Sequence, residues 1–166
     1  MKEATKMISK RSEIILTLGL ILLAGKMLKA ITVECPVFSL KDFPKVPNKK
    51  GSGNYWNDDE GDISVSYAGI IQGVQWTGWV NQAGKKAITM TSIAPVNAVV
   101  DNGGRPVCRY AINFDNQEPA LLMNVSQNLS NPENKEIFNT CGILGKTTFD
   151  CSKGPVDNSE EGGPYY

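Results

Sequence analysis

The chain has no histidine anywhere in its 166 residues. That absence removes the commonest general base near neutral pH, and with it every Ser-His-Asp or Cys-His catalytic arrangement. No G-x-S-x-G, P-loop or G-x-G-x-x-G stretch occurs either, so nucleophile elbows and phosphate-cradling loops are excluded. Past residue 30 the only adjacent basic residues are Lys49-Lys50 and Lys85-Lys86. Nucleic acid is therefore not an expected partner, because releasing its counterions takes several clustered cations. Zinc is disfavoured as well: the cysteines lie 73, 33 and 10 residues apart, with no C-x-x-C, whereas structural zinc sites use close ligand pairs. No metal and no cofactor is expected.

The first thirty residues stand apart from the rest. Lys2, Lys6, Lys10 and Arg11 precede the apolar run Ile14 to Gly25, which Lys26 ends. A basic region followed by a short apolar core is the form of a secretory signal peptide. A helix of that run rises about 18 Å, short of the roughly 30 Å hydrocarbon core of a bilayer. Spanning it would take the run on to Val33 and draw Lys26 and Lys29 into the apolar zone, at about 2.5–3.5 kcal/mol for each one held at the helix centre. A cleaved signal over residues 1–30 is the expectation, with an uncleaved anchor in the inner membrane as the alternative. Ala30 is the expected cleavage point, although Leu28 is large for its site. Lys26 stands where a lipoprotein would carry its lipidated cysteine. The segment holds six Lys/Arg and two Asp/Glu; eleven basic and fifteen acidic residues follow it, a net charge of −4.

All four cysteines, Cys35, Cys108, Cys141 and Cys151, lie beyond that leader. An even count in an exported chain reads as a disulfide framework with three pairings open to it. Cys35–Cys108 with Cys141–Cys151 is the expected one.

Residues 31–61 read as a loop-like arm, rich in proline and glycine yet carrying Val37, Phe38, Leu40, Phe43 and Val46 to pack on the domain. From 62 to 151 the pattern is of strands. Ile63, Val65 and Tyr67 alternate with Ser64 and Ser66; Val74 and Trp76 alternate with Gln75 and Thr77; Ile88 and Met90 alternate with Thr89 and Thr91. Asp101-Asn-Gly-Gly between two β-patterned runs is the strongest hairpin signal. After it Cys108, Tyr110, Ile112 and Phe114 share one face. Residues 120–129 make a further strand, and a last one runs around 147–151. Asn131-Pro132-Glu133 has the order of a helix cap and first turn, so one short helix is expected over 131–138. The tail 152–166 reads as disordered and acidic. The fold class is all-β: a small antiparallel sandwich or barrel, stapled by disulfides, with at most one short helix.

Asp58, Asp59, Glu60 and Asp62 crowd into one turn. As a calcium loop this run fails, because aligning Gly61 with the invariant glycine puts Trp56 and Tyr67 at ligand positions. Neighbours along one loop also diverge, whereas the carboxylates of a hydrolase face each other across the substrate. A solvated acidic turn is the reading. Asn124-Val-Ser and Asn128-Leu-Ser fit the glycosylation pattern by accident of an Asn-rich stretch, in a chain whose leader is bacterial in style.

Two of the three tryptophans lie within residues 73–80. Trp76 shares its face with Val74 and reads as a core ring. Trp79, an odd number of residues on, projects from the opposite face unless Gly78 marks a bulge. Tyr55 and Trp56 are a second candidate exposed pair. Exposed rings of this kind stack on sugars or anchor a protein partner.

The leader, Cys35-Pro36, the Trp76–Trp79 stretch, Cys108-Arg109-Tyr110 and the Cys141–Cys151 pair together resemble a family of small secreted bacterial proteins classed only as a domain of unknown function. That resemblance implies an exported, disulfide-bonded domain and carries no activity with it; the Gly51 insertion and the acidic tail depart from the pattern. The expected function is a non-enzymatic protein-interaction module of the bacterial envelope or exterior, secreted or periplasmic, with an inhibitor, immunity or adhesion role. The alternative is a carbohydrate-binding module using Tyr55, Trp56 and Trp79, and a third reading is a hydrolase built on two carboxylates.

Overall fold

The computed structural model describes residues 30–46, 53–57, 61–83, 89–115 and 117–156. The leader through residue 29, the acids Asp58, Asp59 and Glu60, and the tail from 157 lie outside them.

Among the described residues nine strands form two antiparallel sheets. The smaller has the order β1-β9-β8, from Ile31–Glu34 (β1), Glu136–Ile143 (β8) and Thr148–Pro155 (β9). The larger has the order β2-β3-β4-β7-β6-β5, from Asn54–Asn57 (β2), Ile63–Ile71 (β3), Val74–Gln82 (β4), Met90–Val100 (β5), Pro106–Phe114 (β6) and Gln117–Gln127 (β7). β5, β6 and β7 follow one another as hairpins while β4 pairs with β7 rather than β5. This is the Greek-key arrangement, read in reverse chain order.

Alternation decides which side chains meet between the sheets. Cys108, Tyr110 and Ile112 of β6, Met123 and Val125 of β7 and Val74 and Trp76 of β4 are buried with Val33, Phe138 and Phe149 of the smaller sheet. The expected all-β sandwich is the fold, and the expected core face of β6 lines it. Both disulfides have the expected pairing. Cys35–Cys108 joins the end of β1 to the larger sheet, and Cys141–Cys151 joins β8 to β9. Such bridges belong to an oxidising compartment.

Several local expectations need correction. Residues 31–61 are not all loop: Ile31–Glu34 pairs with β9 and Asn54–Asn57 pairs with β3. Each is only four residues long, too short for a periodicity argument to find. The helix over 131–138 does not form. Its cap signal is real, since the Asn131 side chain accepts the Glu133 N–H at 3.0 Å, but the motif closes a turn instead. Asn134 then accepts the Gln75 N–H and donates to the Asn128 carbonyl, and Glu136 already begins β8. Finally, residues 152–155, read as the start of the tail, complete β9.

One turn went unread. Gln72 and Gly73, both at positive φ, connect Ile71 to Val74. Two consecutive left-handed residues make the tight turn that suits strand twist, and Gln72 fills the place where asparagine is the usual signal. Its side chain donates to the Thr32 carbonyl, while Lys153 donates to the Gln72 carbonyl, so this hairpin tip is fastened to the smaller sheet. At the opposite side the Ala98 N–H donates to Lys146 and the Cys141 N–H to Gly104.

Candidate functional site

The outer face of the larger sheet follows from register. Thr77 pairs with Ser126, and Ser126 with Val107. Two residues further along the same strands stand Trp79, Asn124 and Arg109, with Arg109 paired to Asn124. Period-two geometry puts all of these on the face away from the core.

Trp79 is 55 % exposed there, and Leu122, two residues before Asn124, is 54 % exposed. Trp76 is wholly buried against Phe138, ring centroids 6.2 Å apart. No bulge interrupts β4 at Gly78: its pairing with β3 is unbroken from Ile63↔Gln82 to Ile71↔Val74. Gly78 is there for another reason. A Cβ on it would stand 2.7 Å from Val125 Cγ2 and 2.8 Å from the Asn124 carbonyl oxygen, so glycine is what allows β4 and β7 to pair this closely.

Tyr55 and Trp56 do not form an exposed pair. Tyr55 is 6 % and Trp56 5 % exposed. Adjacent residues of a strand point to opposite faces, so both sides of β2 are covered. Tyr55 packs on Phe114, and its phenol oxygen accepts the Met90 N–H. Of the three residues singled out for binding, Trp79 alone offers its ring to solvent.

On the same face, at Thr77 two residues along β4 from Trp79, lies a depression of about 340 Å³ that Trp79 itself does not line, at the small end of ligand sites, which run roughly 300–1,000 Å³. Thr77, Ser126, Asn128 and Ser130 line it, with Asp101 and Arg105 at one wall. The sequence did not single out these residues as a site, because three separate chain segments supply them.

Asp101 is heavily committed. One of its oxygens accepts the N–H groups of Gly103 and Arg105 at 2.9 and 2.8 Å, and the other accepts Arg105 Nε at 2.8 Å. The DNGG hairpin is thus locked by its first residue, and the Arg105 charge is neutralised in place. Asn128 is held too, donating to Gln75 and accepting the Ser130 N–H. The hydroxyls of Thr77, Ser126 and Ser130 make no hydrogen bond to another described residue. Arg109 donates Nε to Asn124 Oδ1 at 3.2 Å, and among the described residues no carboxylate pairs with it.

The strongly shifted groups lie elsewhere. Burial, with Tyr67 nearby, pushes the Tyr110 phenol well above its ordinary range, and burial, with Asp42 nearby, raises Tyr67. Hydrogen bonds from Ser39 hold the Asp42 carboxyl below its usual range. These groups belong to the packed arm, where Phe38 sits between Phe43, Tyr67 and Tyr110, and the Tyr110 hydroxyl donates to the Pro36 carbonyl at 2.8 Å.

No group of three or more candidate metal ligands occurs among the described residues. No family model matches the chain, and neither a curated protein nor a solved structure is similar to it.

Proposed function

We propose that this chain is an exported, non-enzymatic binding module that works through the outer face of its larger sheet. The observation that carries the reading is Trp79, a ring 55 % exposed near the middle of a hydrogen-bonded sheet. A large aromatic exposed to this degree on a strand inside a sheet still has apolar surface to bury, and it presents a surface that needs little ordering when a partner arrives. Two disulfides support an oxidising destination, secreted or periplasmic. An uncleaved leader would hold the domain at the inner membrane instead.

Two partner classes suit such a face. A protein partner would bury Trp79 as an anchor with Leu122 beside it, in an inhibitor, immunity or adhesion role. A saccharide would stack on the ring and bond to polar groups next to it. The depression at Thr77, two residues along β4 from Trp79 and lined by three hydroxyls without described partners, favours the saccharide.

The test is Trp79→Ala. Trp79 lies outside the core, so its removal is expected to change stability by no more than about 0.5 kcal/mol, read by urea denaturation, while abolishing partner recovery and glycan-array signal together. A variant that keeps every partner of the parent chain would refute the assignment of this face.

A further inference from the structure

We infer that the ligand of this face is a saccharide bearing a carboxylate, with its ring on Trp79, its acid group on Arg109 and its hydroxyls over Thr77 and Ser126. The inference rests on the saccharide reading of the face and adds the ligand's charge.

Charge carries the argument. Two guanidinium groups stand at this site, and they are in opposite states. Arg105 is neutralised by Asp101 at 2.8 Å and fixed into the hairpin. Arg109 has only the amide oxygen of Asn124 at 3.2 Å, and no described carboxylate balances it. The net charge of the described groups at the site is therefore +1, on a polypeptide whose composition after residue 30 sums to −4. A lone cation on a rigid strand is the group suited to a ligand carboxylate, because the guanidinium donates two N–H groups in a fixed fork. With Nε on Asn124, the terminal nitrogens remain to donate to a ligand.

Register supplies the spacing. Arg109 and Trp79 stand on strands that flank β7: Arg109 pairs with Asn124, and Trp79 directly follows Gly78, whose pair with Val125 is the last between β4 and β7. Neighbouring strands lie about 4.8 Å apart, so the two flanking strands are roughly 10 Å apart. That span accommodates a pyranose ring stacked at one end with its acid group at the other. Thr77 on β4 and Ser126 on β7, paired with each other two residues along, offer donors and acceptors to ring hydroxyls.

The experiment titrates the purified protein with a galacturonic acid trisaccharide and with the uncharged galactose trisaccharide, following tryptophan emission. Trp56 and Trp76 are buried, so the response reports Trp79, and Trp79→Phe serves as the blank. The expected result is a saturable shift with the acidic sugar, weakened roughly ten- to a hundredfold by Arg109→Gln. Weakening of the parent chain's binding on raising salt from about 0.05 to 0.5 M is expected as well, since a screened ion pair loses strength; this second measurement needs no variant to fold. Equal binding of both sugars, insensitive to salt and to Arg109→Gln, would overturn the charge assignment and leave the saccharide reading intact. No response to either sugar, with a protein partner lost on Trp79→Ala, would overturn both in favour of a protein-docking face.

Discussion

At the scale of single residues, a buried glutamine links the backbones of the two sheets. Gln127 ends β7 in the larger sheet, and its amide faces the backbone of Phe138 in β8 of the smaller one. Its Nε2 donates to the Phe138 carbonyl, and its Oε1 accepts the Phe138 N–H, both at 2.6 Å and both buried. The amide imitates a neighbouring strand at a point where no strand lies. Gln127→Leu would leave a buried donor and a buried acceptor unmade, each costing about 1–3 kcal/mol. A loss of about 2–4 kcal/mol in urea-induced unfolding is expected, and a change below about 1 kcal/mol would show that the bridge does not hold the sheets together. Neither the amide bridge nor the closeness forced at Gly78 was legible in the sequence. Both are contacts between segments distant along the chain, and nothing in local spacing announces them.

At the scale of elements, the proline-rich arm behaves as part of the core rather than as a cover. Phe43 is wholly enclosed, and Phe38 stacks against Tyr67 and Tyr110 with centroids at 4.5 and 4.6 Å. Two phenols in this cluster are raised above their ordinary value near 10, and the sign of the consequence is fixed. Below pH 10 both tyrosines are neutral in the folded and the unfolded chain, so their contribution is whole. Above it the unfolded chain ionises while the folded one resists, and stability falls as pH rises, by up to about 1.4 kcal/mol per pH unit for the enclosed Tyr110, with Tyr67 acting in the same direction. Tyr110→Phe should flatten that alkaline slope while costing about 1 kcal/mol at neutral pH through the lost bond to Pro36. Unfolding curves at pH 8, 10 and 11 would check it, and an unchanged slope would show that the ring is not sequestered. Strand existence was legible here because period-two burial is a local property. The two short strands at Ile31 and Asn54 were not, since four residues are too few to establish a period.

At the scale of the whole molecule, the sandwich is closed at opposite sides by different devices: the Gln72 hairpin tip on one, and the Ala98–Lys146 and Cys141–Gly104 backbone bonds on the other. The Cys35–Cys108 bridge spans 73 residues and crosses between sheets, whereas Cys141–Cys151 spans 10 within one sheet. In the chain-entropy account the longer loop stabilises by about 4 kcal/mol and the shorter by about 3 kcal/mol. Replacing both cysteines of the long bridge by serine should therefore lower stability more than replacing both of the short one, with thermal unfolding as the readout. The reverse order would show that strain or residual structure outweighs loop closure. A thiol titration of the native protein is expected to find no free cysteine, consistent with the pairing of all four.

The amino-acid sequence by itself determined the β-rich class, the disulfide framework and the buried face of β6. Each follows from alternation, cysteine spacing or composition, which are properties of adjacent or countable residues. Only the tertiary structure decided that Trp56 is covered, that β4 lies beside β7, and that Thr77, Arg105, Ser126 and Ser130 meet around one depression next to a lone Arg109. Those facts depend on which strands become neighbours, and strand order is set by the packing of two whole sheets rather than by any segment alone.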